Sequence, residues 1–384
     1  MILAVGNNMK VVIAIDSFKG SMSSLEAGEA ILQGIKKAKK DAVVEIRPLA
    51  DGGEGTVEAL SIGMGGKLVY VDVTGPAGKS VNAAYGIVES TNTAIIEMSQ
   101  AAGITLVSGD EKNPLHTTTF GVGELIKDAI KKGCRHFIVG IGGSATNDCG
   151  IGMLQALGYE FLDKDGKQVG FGATGVRDVV SIRDENVIKE LSECYFRVAC
   201  DVNNPLCGEL GCSAIYGPQK GATKEMVADM DSWLLRFSGI VKEKYPNADG
   251  EYPGTGAAGG LGYAFHNFTN SKMESGIQIV LDETKLEEHV KDADIVVTGE
   301  GRLDKQTAMG KAPIGVASIA KKYNKKVIAF SGSVTEDAGI CNEHGIDAFF
   351  PILRRIVTLE EAMQSDTAKQ NLTDTTEQVF RLLY

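Results

Sequence analysis

The chain has one tryptophan, five histidines and nine prolines in 384 residues. It has no apolar run approaching the ~20 residues that a membrane-spanning helix needs, so a membrane role is not expected. The opening Met1-Ile-Leu-Ala-Val-Gly6 lacks the basic start and long apolar region of a signal peptide. Residues 1–8 read as a leader, because Met9 directly precedes a clean strand pattern. The seven cysteines (134, 149, 194, 200, 207, 212 and 341) show no C-x-x-C spacing and have few histidines to complete a zinc site. They read as reduced thiols, and the expected compartment is the cytoplasm. Basic residues are the scarcer charge: 39 against 50 acids gives 39 − 50 = −11. That balance argues against coating nucleic acid, which requires basic surface to release counterions.

Several catalytic signatures are also missing. Gly310-Lys311 is followed by Ala312, so no Walker P-loop is present, and there is no G-x-S-x-G elbow, H-E-x-x-H, H-R-D or D-F-G. Gly254-Thr-Gly256-Ala-Ala-Gly259 matches G-x-G-x-x-G, but it follows Asp249-Gly-Glu-Tyr-Pro253 and not a strand. A dinucleotide-binding domain is therefore disfavoured, and these glycines either cover a ligand or pack a helix.

Glycine is in excess: 47 residues, about 12% of the chain against ~7% on average. With so little proline this is not linker composition, so the glycines serve tight backbone turns. Lys10 to Ile15 is a β-branched run, followed by Ser23-Ser-Leu-Glu26, a capping box opening a helix to about Lys40. Val43 to Pro48, a helix over 57–64 and a third strand over Lys67–Thr74 continue an α/β pattern read as parallel. Near the far end, strands at 293–298, 326–330 and 347–350 enclose a helix over 312–323, in the continuous apolar style of buried parallel strands. Between them, 81–88 and 93–98 are spaced as a hairpin, and a helix over 120–132 leads to a strand over 136–141. The predicted fold is α/β: a doubly wound, flavodoxin/Rossmann-like discontinuous domain (9–77 plus 284–384) with a mixed α/β domain (78–283) inserted into it. Crossing points are expected near Gly75-Pro76 and Gln278 to Asp282.

Four polar loops follow strand-like runs, the edge where open α/β sheets bind ligands. In Asp16-Ser-Phe-Lys19-Gly20, the acid and the lysine suit a carboxylate or phosphate, although a capped turn explains them as simply. Asp51-Gly52-Gly53-Glu54-Gly-Thr56 sets two carboxylates around glycines, able to hold Mg²⁺, orient a hydroxyl or merely complement a helix N-terminus. Gly140-Ile-Gly142-Gly143-Ser144-Ala-Thr146-Asn147-Asp148 offers backbone N–H groups and hydroxyls to an anion; the plainer reading is an Asn or Asp helix cap. Gly299-Glu300-Gly301-Arg302-Leu-Asp304 gathers two acids and an arginine suited to a transferring phosphoryl group, or else forms a salt-bridged surface turn. A fifth candidate is Asp201, which ends a strand before Val-Asn-Asn-Pro205 and suits a general base. Phosphoryl transfer asks for positioning, a metal and charge stabilisation more than covalent help, and these loops supply that list.

The ordered set Ile15-Asp-Ser-Phe-Lys-Gly20, Ala50-Asp-Gly-Gly-Glu-Gly-Thr56, Gly142-Gly-Ser-Ala-Thr-Asn-Asp148 and Thr298-Gly-Glu-Gly-Arg-Leu-Asp304 resembles the type I glycerate kinase family over nearly the whole chain from Met9. The resemblance implies a two-domain α/β enzyme, one domain inserted in the other, that uses ATP to phosphorylate D-glycerate, usually at the 2-hydroxyl, in organic-acid or glyoxylate-type carbon metabolism. Under it, the Gly142-Gly143 backbone, Ser144, Thr146 and Asn147 bind phosphate or glycerate oxygens, as do Gly52, Gly53, Glu54, Gly299, Glu300 and Gly301. Lys19 or Arg302 neutralises the carboxylate or the transferring group. Asp51, Asp148 and Asp304 compete for Mg²⁺, and Asp201 or Asp16 orients the attacking hydroxyl. Two other classes fit the same residues: a nucleotide-independent hydroxy-acid isomerase or dehydratase, and a small-carboxylate binding protein.

Overall fold

The computed structural model describes residues 9–50 and 55–383, so the leader and the Asp51, Gly52, Gly53 and Glu54 assignments lie outside the described residues. In chain order the strands are β1 (Lys10–Ile13), β2 (Val43–Ile46), β3 (Lys67–Thr74), β4 (Ser80–Val88), β5 (Thr93–Glu97), β6 (His136–Gly140), β7 (Glu160–Leu162), β8 (Ser181–Arg183), β9 (Tyr195–Ala199), β10 (Ser271–Glu274), β11 (Ile295–Leu303), β12 (Lys326–Val334) and β13 (Ala348–Pro351). The chain divides into two compact units, one of residues 1–51, 62–64 and 280–384, the other of residues 52–61 and 65–279.

The first unit holds a five-stranded sheet in the order β2-β1-β11-β12-β13 with every pairing parallel. Numbered within the unit this is 2-1-3-4-5, the flavodoxin-like doubly wound order. Its strands are β-branched and apolar because helices cover them: Val11, Ile13, Ile295, Val297, Ile328 and Phe330 form one core with Ile31, Ile35, Leu372 and Phe380. The capping box is present as read. Glu26 N–H donates to Ser23 Oγ (3.2 Å) and Ser23 N–H to Glu26 Oε2 (2.8 Å), starting the helix Ser24–Ala38.

The second unit holds a six-stranded mixed sheet in the order β10-β9-β6-β5-β4-β3 and a small β7-β8 ribbon. β5, β6, β9 and β10 pair in parallel, while β4 joins β5 as the antiparallel hairpin expected from the spacing. Its core gathers Ile96, Phe137, Val139, Phe196, Val198 and Phe265.

Two readings are corrected. β3, placed by sequence in the first domain's parallel sheet, pairs antiparallel with β4 along its whole length. Gly75-Pro76, expected as a crossing point, is therefore part of the turn between two strands of one sheet; a strand pattern such as Lys67–Thr74 carries no mark of its partner's direction. The segment 299–303 is also strand and not loop: Gly299 pairs with Phe330, Glu300 with Ser331 and Arg302 with Ser333. Glycines usually weaken strands, but here they admit neighbours, since a Cβ on Gly299 would meet the Phe330 carbonyl oxygen at 2.0 Å.

The helix Ser24–Ala38 packs on the C-terminal helix Ser365–Leu383 through Gly34, where an added Cβ would lie 2.4 Å from Thr373 O and 2.7 Å from Thr376 Cβ. Alanine would gain about 1 kcal/mol of helix propensity, yet overpacking against a neighbouring backbone costs about 1–3 kcal/mol. Gly34→Ala is therefore expected to lower the urea midpoint. A midpoint equal to or above that of the parent chain would refute this helix contact.

Candidate active site

In the doubly wound unit, strand order reverses between β1 and β11, and ligands of such sheets bind beyond the carboxyl ends at that reversal. Asp16 and Lys19 follow β1 there. Asp16 is buried; its Oδ1 accepts the Ser17 N–H (2.6 Å), and its own N–H donates to Gly299 O (3.0 Å). Gly301 runs alongside this turn, its Cβ position lying 3.5 Å from Lys19 N, an ordinary contact distance. Glu300 is largely enclosed. Burial raises its pKa, opposed by the Thr307 hydroxyl, which donates to Oε1 (2.6 Å), and by the Lys311 and Lys19 charges. Lys311 Nζ lies 3.8 Å from Glu300 and 3.9 Å from Asp304, so one ammonium serves both acids. Asp304 also accepts the Thr307 N–H (3.1 Å). Arg302 stands mostly in solvent, 3.7 Å from Asp304. Beside them, an open groove of about 800 Å³ is lined by residues including Arg302, Asp304, Lys305, Thr335 and Glu336.

In the second unit, register gathers the chemistry at one edge. Glu97, Gly140, Ala199 and Glu274 are aligned across β5, β6, β9 and β10, so the segments that follow them emerge side by side. Gly142 and Gly143 are exposed and Ser144 is 8% exposed. Gly143 has φ +75°, and its carbonyl accepts the Ile104 N–H (2.8 Å). Asp201 is exposed at the same edge, its Oδ1 accepting the Gly276 N–H and the Ser275 hydroxyl, each at 3.0 Å.

Thr146, Asn147 and Asp148 lie beneath the loop, each with 0% exposure. Asn147 Nδ2 donates to Ser213 Oγ (2.9 Å). Asp148 accepts the Thr119 N–H (2.8 Å) and hydroxyl (2.9 Å) through Oδ2 and the Gly150 N–H (3.1 Å) through Oδ1. Neither residue is a helix N-cap, since Gly150 holds that position for the helix Ile151–Ala156 with no side-chain cap bond; Asp148 instead ties the loop to Thr119. Enclosed and already held by protein donors, Asp148 does not present the open carboxylate that a phosphate-bound Mg²⁺ takes. Of the G-x-G-x-x-G glycines, Gly259 packs this floor, its Cβ position at φ +66° lying 2.0 Å from Thr146 O, while Gly256 packs on Pro205.

Sequence reasoning missed two residues here. Lys220 is 1% exposed, yet its ammonium donates to Ser144 Oγ (2.7 Å) and Thr146 O (2.6 Å); burial pulls its pKa down to about 8, while Cys212 and Asp148 oppose that shift. Lysines are almost never fully buried unless paired, and Gly217-Pro-Gln-Lys-Gly221 reads as an ordinary surface turn. Glu97, 3% exposed, accepts the Val57 N–H (2.8 Å) and the Ser99 hydroxyl (3.4 Å). An acid closing the apolar run from Thr93 was the available signal for it.

Among the described residues no group of three or more His, Cys, Asp or Glu side chains could hold a metal ion by itself. Mg²⁺ in kinases usually takes one or two carboxylates and completes its shell with substrate phosphates and water. Glu300 and Asp304, hard oxygen donors sharing Lys311, fit that smaller requirement. No helix among the described residues is long and apolar enough to cross a membrane, and all seven cysteines are unpaired.

The glycerate kinase family model matches residues 11–384. A glycerate kinase of Haemophilus influenzae is 48% identical over 98% of this chain and 99% of its own, and a glycerate 2-kinase of Escherichia coli K12 is 46% identical over 93% of each. A crystal structure of a protein named as glycerate kinase 2 of Salmonella typhimurium LT2 superposes with a TM-score of 0.90 at 46% identity, covering 98% of both chains. With the motifs, the doubly wound sheet and near-complete coverage in agreement, this chain belongs to the glycerate kinase family and is a kinase.

Proposed function

We propose that the protein transfers the γ-phosphoryl group of ATP to the 2-hydroxyl of D-glycerate, with Mg²⁺, in organic-acid carbon metabolism in the cytoplasm. The observation that carries this reading is the exposed Gly142-Gly143 turn leading into Ser144, whose backbone and hydroxyl donors suit the oxygens of a small acid, at the sheet edge where Asp201 also emerges. The 2-hydroxyl is supported by the name of the Escherichia coli relative. Being a kinase, the chain is neither the nucleotide-independent isomerase nor the binding protein that its residues also suited.

On this reading Asp201 orients the attacking hydroxyl. Two donors fix one of its oxygens, so the carboxylate is held in place and does not swing. Glu300 and Asp304 would hold Mg²⁺, whose chemistry would be charge neutralisation on the phosphate oxygens. Lys311 restrains those two acids, and Thr307 orients Glu300 by donating to it. Lys19 and Arg302 add positive charge for phosphate oxygens, with Asp16 fixing the turn that carries Lys19.

Three outcomes are expected. ³¹P NMR of the protein with Mg²⁺-ATP and D-glycerate gives a 2-phosphoglycerate resonance; 3-phosphoglycerate instead would overturn the hydroxyl assignment, and unchanged ATP with folded protein would overturn the substrate. Asp201→Asn retains the fold but lowers kcat by about 10²-fold or more, with a smaller change in KM for glycerate; parental kcat would remove Asp201 from this role. Asp304→Asn raises the Mg²⁺ concentration giving half-maximal rate, and an unshifted Mg²⁺ titration excludes it as a metal ligand.

A further inference from the structure

Lys220 lies outside the four motifs on which the family resemblance was read, and its position is chemically costly. An ammonium taken out of water needs full compensation, and it finds one hydroxyl and one carbonyl, at 2.7 and 2.6 Å. At neutral pH a group with a pKa near 8 is still protonated.

The direction of these bonds matters more than their number. A lysine ammonium has three donors and no acceptor, so Ser144 Oγ must accept from it. The serine's own hydroxyl proton is then turned away from Lys220, and among the described residues it donates to no other group. Ser144 lies beside Gly142 and Gly143, the exposed part of the turn. Beneath it, Thr146 Oγ1 and Asn147 Oδ1 are buried without partners, which leaves the floor of the loop short of the hydrogen bonds that a purely structural turn would be expected to complete.

We infer that Lys220 is a positioning residue that makes Ser144 a one-way donor, its ammonium fixing and polarising the serine hydroxyl so that the proton points to an acceptor oxygen of a bound carboxylate or phosphate. Charge reaches the ligand through Ser144, because Lys220 itself is sealed from solvent. Donor chains of this kind strengthen each bond along them, the more so at low local dielectric. The inference rests on the glycerate reading only for the identity of the anion.

Calorimetric titration of the intact protein with D-glycerate, and separately with inorganic phosphate, tests it on Lys220→Met, Ser144→Ala and the double variant, each first shown to be folded by thermal melting. Each single variant is expected to lose at least about tenfold in anion affinity, the scale of a hydrogen bond to a charged group. The double variant should lose little more than Ser144→Ala alone, since the lysine acts through that serine. Unchanged affinity in folded Lys220→Met, or losses that multiply in full in the double variant, would overturn the inference, as would a wild-type protein that binds neither anion. If Lys220→Met does not fold, Ser144→Ala decides: anion affinity equal to the parent's overturns the proposal, and a tenfold loss supports it. Phosphate binding that depends on both residues, without D-glycerate binding, supports the inference while sinking the glycerate reading.

Discussion

Parallel strand pairing is the constraint from which the rest of this molecule follows. A parallel neighbour can be reached only by a crossover, so each strand must leave the sheet at its carboxyl end and return to the far edge. In both sheets that requirement collects polar turns along one edge: after β1 and within β11 in the first unit, and after β5, β6 and β9 in the second. Register alone sets Glu97, Gly140 and Ala199 side by side, so that the segments carrying Ser144 and Asp201 start from adjacent strand ends. The buried middles of the strands are free to be almost wholly apolar, since the polar groups gather at the strand ends and in the segments that follow, as Glu300 and Arg302 do at the end of β11.

The two edges solve the problem of presenting charge differently. At the β11 edge the two acids are mostly enclosed and restrained by Lys311 and Thr307, beside a groove that opens on Asp304. At the β6 edge Asp148 and Lys220 are buried beneath the loop, while Gly142, Gly143 and Asp201 are exposed and Ser144 stands at 8% exposure between the two. A flexible glycine turn would bind an anion poorly because ordering it would consume the binding energy. The buried bonds of Asp148 to Thr119 and Gly150, and of Lys220 to Thr146, hold the turn from below before any ligand arrives.

Much of this was legible in the sequence, and what was not has physical reasons. The capping box at Ser23 and Glu26, the hairpin and the doubly wound ends rest on local periodicity and were read correctly. β3 was assigned to the wrong sheet because strand direction is a property of the partner and not of the strand. Gly299 to Arg302 was read as loop because glycine and charge usually mark one, whereas here glycine yields space to the Phe330 backbone. The motif Gly142 to Asp148 was found, but its division into an outward half and a buried half depends on the packing of segments 213–220 and 254–260, which lie some 65 to 120 residues further on.

That division also explains why a buried ion is tolerable at this position. Burial pushes the Asp148 carboxyl up and the Lys220 ammonium down, each toward its neutral form, while the acid's charge works to keep the lysine protonated. The two are not an ion pair: Lys220 is held by Ser144 and Thr146, and Asp148 by Thr119 and Gly150, so removing those donors or acceptors leaves a buried charge uncompensated. An apolar floor of the same shape would be at least as stable, so stability by itself does not account for placing an ammonium there. Its donors meet a serine at the mouth of the turn and the backbone of the loop behind it, which ties the cost of burying the charge to the turn that faces the ligand.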